Sequence, residues 1–354
     1  MKVMAINSSP RAGSGSKTEL MLNHLVDGMH AADAEVEVVN LRATTIKNCI
    51  GCYTCWTKTP GTCIHKDDMT NDLFPKWLAS DMVIYATPLY NYAMAATLKT
   101  FIERTIPSFQ PYFKIHDGRM YHPLRQKNPA VVMLSVAGMP DKSQFGPLSA
   151  HIRFYCSSPG RKLLAEIYRP ASEVMQMPIM EERMNEILAA TKAAGRELVQ
   201  SKKVSPKTLE KITQNIIDNH SYMEIAKVLW NTCINEKVTL KEFAEKNMVP
   251  RCATLEDFLL TLPMSINAKV AFDRKITLQF KFNGQVTEDC FFIIEQGEIT
   301  AHKGICENSD LTIVTPFDIW MDIMTGKADG QQLFFDQKYT IAGDLSLIPQ
   351  LFPV

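Results

Sequence analysis

The sequence predicts an α/β protein in which a doubly wound parallel sheet fills the first part of the chain and a smaller α+β domain ends it. Short apolar runs alternate with helical patterns up to about residue 203. From Ser205 helical patterns follow one another without a strand. Beyond Thr254, alternating runs are separated by Asn-Gly and Gln-Gly pairs, which are typical of antiparallel hairpins.

Five apolar runs in the first part predict buried parallel strands. They are Lys2–Ile6, Val36–Val39, Met82–Ala86, Ala130–Val136 and Lys162–Tyr168. The helical patterns between and after them are Thr18–His30, Asn71–Ala79, Ala95–Ile106, Pro147–Tyr155 and Glu181–Lys202. In such sheets ligands bind beyond the carboxyl ends of the strands. We therefore expect the loops after the first, third and fourth strands to hold the ligand.

The rest of the chain divides into a connector and a second domain. Residues 204–250 predict a connector of two or three helices, whose apolar stripe we expect to be core. Residues 251–354 then predict a short helix and four strands. These strands are Lys275–Phe282, Cys290–Glu295, Glu298–His302 and Leu311–Val314. The predicted domains are therefore 1–203, 204–250 and 251–354.

Composition excludes some classes of partner. Lys plus Arg and Asp plus Glu both number 38 among the 354 residues, so the formal net charge is zero. Nucleic acid and anionic membranes are poor partners for such a chain. The first residues lack the features of a signal peptide, and no apolar run is long enough to span a membrane. We expect a cytoplasmic protein with reduced thiols.

Four of the nine cysteines lie in one window, with the spacing C-x2-C-x2-C-x7-C. They are Cys49, Cys52, Cys55 and Cys63. Thiolates this dense ligate zinc or an iron-sulfur cluster, because soft sulfur ligands select those ions. The alternatives are a disulfide, which a reducing compartment disfavours, and a loop of inert thiols.

The loop after the first strand has the composition of a monophosphate cradle. From Asn7 to Thr18 it consists mostly of small and hydroxyl residues, with Arg11 and Lys17 adding positive charge before a helix N-terminus. It lacks the G-x-G-x-x-G spacing of a dinucleotide fold and the GK[ST] ending of a P-loop. The alternative is an ordinary solvated Ser/Gly loop.

The third and fourth strands end in segments suited to a flat ring. Pro88-Leu89-Tyr90-Asn91-Tyr92 offers two aromatic rings and an amide, and Ala137-Gly138 allows backbone to approach. Such a surface suits an isoalloxazine ring. Taken singly, each aromatic residue is more often a packing residue than a cofactor contact, but the three loops in sheet order point to one site.

Residues 1–203 resemble the NAD(P)H-dependent FMN reductase and iron-sulfur flavoprotein family of flavodoxin-like proteins. The matching motifs are Ser9-Pro10-Arg11, Ser16-Lys17-Thr18, the stretch from Gly51-Cys52 to Asp67-Asp68-Met69, Pro88-Leu89-Tyr90, Leu98-Lys99 and Arg104. The chain departs from the family at Asn7 and Ser8, where glycine is usual.

The resemblance implies a bound FMN. Its phosphate would be held by Ser9, Arg11, Ser16, Lys17 and Thr18, and its ring would lie against Pro88, Leu89, Tyr90, Asn91, Tyr92, Ala137 and Gly138. It also implies hydride transfer from NAD(P)H to the flavin, an acceptor that the sequence does not identify, and a homo-oligomer that completes the pocket. Hydride transfer needs no acid or base from the protein, so we name no catalytic residue.

For the cysteine window, the same resemblance implies a [4Fe-4S] cluster on Cys49, Cys52, Cys55 and Cys63. A metal-free thiol loop and a zinc site remain the alternatives. The leading hypothesis is an FMN oxidoreductase that uses NAD(P)H. The second is an electron carrier that relays electrons between protein partners without its own nicotinamide specificity.

The end of the chain, from about Thr254, resembles the sterol carrier protein type-two fold. The matching motifs are Leu255-Glu256-Asp257-Phe258, Ile276–Phe280, Ser309–Ile313, Met324–Lys327 and Tyr339–Asp344. The resemblance implies a tunnel for a lipid or another apolar molecule, lined by Phe317, Trp320, Met321, Met324, Leu333, Phe334 and Phe335. The alternative is that these side chains are ordinary core. A third hypothesis for the whole chain is therefore a lipid-binding module on a degenerate flavodoxin-like scaffold.

Overall fold

The computed structural model describes residues 1–177, 180–271, 273–284 and 286–352. The chain forms two compact units, Met1–Ile217 and Asp218–Val354. The division falls inside the segment 204–250 that the sequence marks as a helical connector, so its first helix belongs to unit one and the later helices to unit two. No helix in the described part is long and apolar enough to cross a membrane.

Unit one is built on a parallel sheet, as predicted. Its strands are β1 (Lys2–Asn7), β2 (Glu35–Asn40), β3 (Met82–Tyr90), β4 (Ala93–Met94), β5 (Lys114–His116), β6 (Arg119–Tyr121), β7 (Ala130–Val136) and β8 (Leu163–Arg169). The parallel order is β2-β1-β3-β7-β8, with β4 paired to β3. All five predicted strands form, and this order is that of flavodoxin-like folds, whose ligands bind where the strand order reverses.

The helices of unit one cover the sheet. They are α1 (Lys17–His30), α2 (Phe74–Ala79), α3 (Ala96–Glu103), α4 (Gly146–Cys156), α5 (Glu181–Ser201) and α6 (Pro206–Ile212). Helices α1 and α5 pack backbone to backbone through Gly28 and Gly195. A Cβ atom built at Gly28 would lie 1.9 Å from the Lys192 carbonyl oxygen, and one at Gly195 would lie 2.0 Å from the Leu25 oxygen. Only glycine therefore allows this crossing.

Two hairpins of unit one were not predicted. Strand β3 runs on to Tyr90 and turns back into β4 through Asn91 and Tyr92, whose φ angles are 47° and 63°. Strands β5 and β6 are joined by Asp117 and Gly118, at φ 48° and 73°. Positive φ at both central residues is the mark of a type I′ turn. Asp-Gly is a hairpin signal in the sequence, whereas Asn-Tyr is not.

Unit two is an α+β domain. Its helices are α7 (Asn219–Glu236), α8 (Leu240–Glu245), α9 (Leu255–Ser265), α10 (Phe317–Met324), α11 (Gly330–Phe335) and α12 (Leu347–Leu351). Its strands are β9 (Ile276–Asn283), β10 (Cys290–Glu295), β11 (Glu298–Lys303), β12 (Leu311–Pro316) and β13 (Thr340–Gly343), in the order β11-β10-β9-β12-β13. The meander β9-β10-β11 agrees with the predicted hairpins. Strand β13 was not predicted.

The side chains expected to line a tunnel in unit two fall into two groups. Phe317, Trp320 and Met321 are buried in the hydrophobic core, and Met324 and Leu333 pack against it. In contrast, Phe335 is 77% exposed, so its expected place in the lining is wrong. It follows Phe334 at the end of α11, a helix in which no residue is buried.

Candidate functional site

The loop after β1 is fixed by side chains rather than by glycine. The Asn7 Oδ1 atom accepts a hydrogen bond from the Ser9 backbone N–H at 3.0 Å, and Asn7 Nδ2 donates to Asn40 Oδ1 at 2.8 Å. The Ser8 hydroxyl donates to the Ala86 carbonyl oxygen on the neighbouring strand at 3.0 Å. The Asn7 side chain thus bonds to backbone two residues further along the loop and holds the turn in place.

The hydroxyls in this loop build the start of α1. Ser16 caps the helix, accepting from the Glu19 N–H at 3.1 Å, and donates to the Ser9 hydroxyl at 2.8 Å. Ser9, Ser16 and Thr18 are buried, whereas Arg11 is exposed and free to meet an anion. The first N–H groups of a helix have no intrahelical partner and attract negative charge, so this loop can hold a phosphate.

Lys17 is oriented by a neighbouring loop. Its ammonium group donates to the Gln176 side-chain oxygen, in the segment that follows β8. Burial lowers the pKa of Lys17, Glu173 opposes that effect, and Arg11 adds to it. The residue stands beside the predicted phosphate loop, but it would have to share or leave Gln176 to bind a phosphate directly.

The hairpin after β3 presents two aromatic rings at the carboxyl edge of the sheet. Tyr90 is 49% exposed and Tyr92 is 54% exposed. Leu89 pairs with Met94, and the Thr87 hydroxyl accepts a hydrogen bond from the Ala95 N–H at 2.9 Å, which fixes the exit into α3. Exposed aromatic faces on a rigid hairpin can receive a flat ring.

The loop after β7 is less available than the sequence suggests. Ala137 is 2% exposed, its N–H donates to the Arg169 carbonyl oxygen at 3.0 Å, and its own carbonyl accepts from Ser172 at 2.8 Å. The backbone groups of Ala137 are therefore already paired. Contact with a ring at this edge is left to Gly138, which is half-buried, and to Met139, which is exposed.

The cysteine window lies in a long loop whose base is closed by hydrogen bonds. The Thr45 N–H donates to Asp68 Oδ2 at 2.7 Å, and the Lys47 N–H donates to Asp67 Oδ2 at 2.9 Å. Arg104, directly after α3, donates to the Lys47 carbonyl oxygen and to Asp67 Oδ2, both at 2.6 Å. Both ends of the loop are thus attached to α3 by one guanidinium.

Asp67 and Arg104 form a buried ion pair. Each side chain is 1% exposed, and a second contact joins Arg104 Nη2 to Asp67 Oδ1 at 3.0 Å. Burial would raise the pKa of Asp67, but hydrogen bonds from Arg104 and from two backbone N–H groups bring it well below its usual range. Sequence reasoning included both residues only as parts of the family resemblance and assigned them no role.

All four window cysteines line one small, solvent-open cavity, together with His65 and Arg104. Every cysteine of the chain is among the described residues, and each carries a free thiol. Burial and the three neighbouring cysteines raise the pKa of Cys55 to about 11. The exposed Cys52 differs, since hydrogen bonds from Thr54 lower its pKa.

The donors around this cavity match an iron-sulfur cluster in their chemistry. Four free thiols on one cavity supply the soft ligands that such a cluster requires. Buried nitrogens of His65 and Arg104 have no hydrogen-bond partner among the described residues. Within the described ranges, no three His, Cys, Asp or Glu side chains, the window cysteines included, are grouped so that they could hold a metal ion.

Comparison with known proteins finds similarity to two different families in two parts of the chain. Residues 1–144 match the family of NADPH-dependent FMN reductases, and residues 267–354 match the SCP-2 sterol transfer family. An iron-sulfur flavoprotein of Archaeoglobus fulgidus is 39% identical over 108 residues, which cover 30% of this chain and 46% of that protein. An iron-sulfur flavoprotein of Methanocaldococcus jannaschii is 34% identical over 120 residues, covering 34% and 58%.

A third relative has a different description. The FMN-dependent NADH:quinone oxidoreductase of Alkalilimnicola ehrlichii is 27% identical over 147 residues, which cover 39% of this chain and 70% of that protein. The chain spans about half the length of the two iron-sulfur flavoproteins that it matches. The chain therefore combines a parallel α/β sheet in a region that matches the NADPH-dependent FMN reductase family with a later segment that matches the SCP-2 sterol transfer family.

Proposed function

We propose that unit one binds FMN and oxidises NAD(P)H, passing the electrons on through a cluster held by the cysteine window. The family match of residues 1–144 supports the flavin and the reductase activity. The phosphate would lie against the Ser9–Thr18 loop and the α1 N-terminus, with Arg11 as the exposed cation. The ring would lie between the β3–β4 hairpin and Gly138.

In this proposal the flavin supplies the redox chemistry, accepting hydride and releasing electrons one or two at a time. The residues of the chain bind and orient it. Tyr90 and Tyr92 would cover one face of the ring, and the α1 N-terminus would hold the phosphate, next to the turn that Asn7 stabilises. No acid or base on the protein is required.

The proposal that electrons leave the flavin through a cluster rests on the cavity that the four cysteines share at the C-terminal end of α3. The helix begins two residues after the β3–β4 hairpin and ends beside Arg104, which lines the cavity. Its eight residues span roughly 12 Å at about 1.5 Å per residue. Cys49, Cys52, Cys55 and Cys63 would hold a [4Fe-4S] cluster one short helix away from the flavin.

Anaerobic purification tests this proposal. We expect one FMN per chain, with iron and acid-labile sulfide near four each if the cluster is complete. NADH or NADPH should then bleach the flavin absorbance. Arg11→Ala should weaken FMN binding without loss of fold, because Arg11 is exposed and makes its hydrogen bonds through its backbone N–H and carbonyl groups. Lys58→Gln is the matched control, since this exposed cation lies in the cysteine window. A colourless protein that refuses added FMN would contradict the proposal and favour a lipid-binding module.

A second candidate is an electron carrier between protein partners. Two of the relatives are described as iron-sulfur flavoproteins rather than as nicotinamide-dependent enzymes. In that case the flavin and iron would be present, but NADH and NADPH would reduce the flavin slowly or not at all. Stopped-flow reduction with each nicotinamide, compared with dithionite, distinguishes the two candidates.

We further propose that the chain works in the cytoplasm as a homo-oligomer. Tyr112, Phe113, Ile115 and Met120, in and beside the β5–β6 hairpin, are each at least 63% exposed. Burial of these side chains against a second copy would remove apolar surface from water. Light scattering of the purified protein should give at least twice the 39.9 kDa chain mass.

For unit two we propose an apolar ligand that carries a hydrogen-bond acceptor. The family match supports an apolar ligand. The acceptor is suggested by Trp320, whose indole N–H is buried without a partner among the described residues. A fluorescent fatty acid or sterol should quench tryptophan emission on binding, and Trp320→Phe should weaken ligands with a hydroxyl more than ligands without one.

A further inference from the structure

The cavity shared by the four cysteines contains more than sulfur ligands. His65 and Arg104 line it as well. The His65 Nε2 atom and the Arg104 Nε atom are both buried, and neither has a hydrogen-bond partner among the described residues. Buried nitrogen donors are paired in the great majority of proteins, so two unpaired ones on one small cavity call for a ligand.

Arg104 is held in place independently of any ligand. Its two terminal nitrogens donate to Asp67, to the Lys47 carbonyl oxygen at 2.6 Å and to the Thr70 hydroxyl at 2.8 Å. The guanidinium also lies within hydrogen-bonding reach of Cys63. The Nε–H group is thus the unused donor of an otherwise fixed cation beside the window.

His65 lines the same cavity and follows Cys63 by two residues in the sequence. In the tautomer that carries its proton on Nε2, the neutral ring is a hydrogen-bond donor. The sulfur of Cys63, which lines the same cavity, would be able to accept such a bond once a cluster is present. No change of protonation is needed for this role.

We propose that His65 and Arg104 donate hydrogen bonds to the sulfur atoms of a cluster on the four cysteines and thereby raise its reduction potential. This inference rests on the cluster of the proposed function. Each cysteine sulfur is negative when it ligates iron, and reduction adds one further electron. Donors and a positive charge next to the sulfurs therefore stabilise the reduced form more than the oxidised form. Neither residue would exchange electrons itself, because each would act only by hydrogen bonding to the cluster.

The experiment is a redox titration of the flavin-loaded protein with dithionite, followed by the electron paramagnetic resonance signal of the reduced cluster. That signal reports the cluster potential separately from flavin absorbance. His65→Leu removes the donor, and His65→Gln keeps an N–H at a similar reach. We expect at least a tenfold fall in the reduced-to-oxidised ratio for the Leu variant, equivalent to about 59 mV for one electron. The Gln variant should stay close to the wild type.

Arg104 is tested together with its partner, since removal of one member would leave a buried charge. The double variant Arg104→Gln with Asp67→Asn keeps hydrogen-bonding groups at both positions and removes both charges. We expect the cluster potential to fall in this variant too. Lys58→Gln is the control for a general charge effect, because Lys58 is exposed in the same loop and does not line the cavity. The cluster potential in Lys58→Gln should equal that of the wild type.

The outcomes separate the inference from the function on which it rests. Wild-type protein without iron and sulfide would overturn the cluster and this inference together. A loaded cluster whose potential is the same in His65→Leu, in the double variant and in the wild type would overturn the inference alone. If the double variant does not fold, the comparison of His65→Leu with His65→Gln still tests the inference. Equal shifts in His65→Leu and His65→Gln would also contradict it, because they would reflect packing rather than a donor.

Discussion

At the residue scale, the four window cysteines share one cavity but differ in their chemistry. Cys52 is exposed and its pKa is lowered by hydrogen bonds from Thr54, whereas burial and the neighbouring sulfurs raise the pKa of Cys55 to about 11. In cluster-free protein near neutral pH, iodoacetamide should alkylate Cys52 at least about a hundredfold faster than Cys55, because the thiolate is the reactive form.

Peptide mass spectrometry over a time course measures this difference. Thr54→Val should slow the alkylation of Cys52, since the hydroxyl donor is lost. Protein with a full complement of iron should be protected at all four positions. Equal rates at Cys52 and Cys55 in the iron-free protein would contradict the environments described above.

The second prediction at this scale concerns Asp67. Its folded pKa lies below the unfolded value, so its contribution to stability is fully present above about pH 4 and is lost as the pH falls through the folded pKa. Asp67→Asn should lower the free energy of unfolding at pH 7 by about 3–5 kcal/mol, because Arg104 is then left as a buried, unpaired charge. The difference in the free energy of unfolding between this variant and the wild type should become smaller as the pH is lowered.

Urea unfolding at several pH values tests the Asp67 prediction. Asp141→Asn is the matched control, because Asp141 is exposed and caps a short helical turn that asparagine also caps well. A loss at Asp67 no larger than the loss at Asp141 would show that the buried pair contributes little.

Residue roles were only partly readable from the sequence. The cysteine spacing predicted a cluster of thiols, which do line one cavity, whereas the phosphate site in the hydroxyl-rich loop stays a prediction. Arg104 and Asp67 are separated by 37 positions, so no spacing rule connects them. Lys17 was read as a phosphate ligand, but its partner Gln176 comes from a loop that only the folded chain brings near.

At the element scale, the crossing of α1 and α5 depends on two glycines. A Cβ atom at Gly195 would lie 2.0 Å from the Leu25 carbonyl oxygen, and backbone atoms cannot turn aside as a side chain can. Gly195→Ala should lower the free energy of unfolding by about 1–3 kcal/mol or more. Gly146→Ala is the control, since a Cβ there meets open space in a helix, and it should be neutral or slightly stabilising.

Thermal and urea unfolding compare these two glycine variants. If Gly195→Ala were as stable as the wild type, helices α1 and α5 could move apart without lowering the free energy of unfolding. The sequence indicated two helices at these positions but not their contact, because a glycine within a helical pattern looks the same whether it packs or not.

In the β3–β4 hairpin, one residue has both an unfavourable backbone conformation and a proposed contact with the flavin. Tyr92 is held at φ 63°, where glycine is favoured, and its ring is exposed at the proposed flavin site. Tyr92→Gly should leave the flavin-free protein as stable as before or about 1 kcal/mol more stable. It should also weaken FMN binding roughly tenfold, through the lost ring contact.

Tyr92→Ala separates the two effects. It removes the ring but keeps a Cβ at positive φ, so FMN binding should weaken without a gain in stability. Flavin fluorescence titration and unfolding of the flavin-free protein provide both measurements. Unchanged FMN affinity in both variants would remove Tyr92 from the site.

Parallel strands and long helices were predictable because their periodicity is local. The β5–β6 hairpin was missed although Asp117-Gly118 is a turn signal, because its strands are three residues each and carry no apolar alternation. The β3–β4 hairpin had no signal at all, since Asn-Tyr seldom forms such a turn.

At the scale of the whole molecule, the chain divides into two compact units, Met1–Ile217 and Asp218–Val354. Each unit contains buried hydrophobic clusters of its own among the described residues. Calorimetry should therefore resolve two transitions, and FMN should raise only the one that belongs to unit one. The expected stabilisation is about 2.7 kcal/mol at a free FMN concentration of a hundred times Kd. A fatty acid or sterol should raise only the other transition.

The assignment of these transitions is checked by Gly195→Ala, which should lower the FMN-responsive transition and leave the other in place. A single transition that shifts as a whole with FMN would show that the units unfold together. The change of composition after residue 203 led us to predict three parts, 1–203, 204–250 and 251–354. The boundary near residue 217 was not predicted, because helical patterns continue across it.

The closed base of the cysteine loop has a consequence for how such proteins change over evolution. Thr45, Lys47, Asp67, Asp68 and Arg104 fasten the loop without help from any sulfur atom. Cysteines between the two ends can therefore be lost, gained or moved by substitution while the fold persists. The same hydrogen-bonded frame can therefore hold this loop in chains with an inorganic centre and in chains without one.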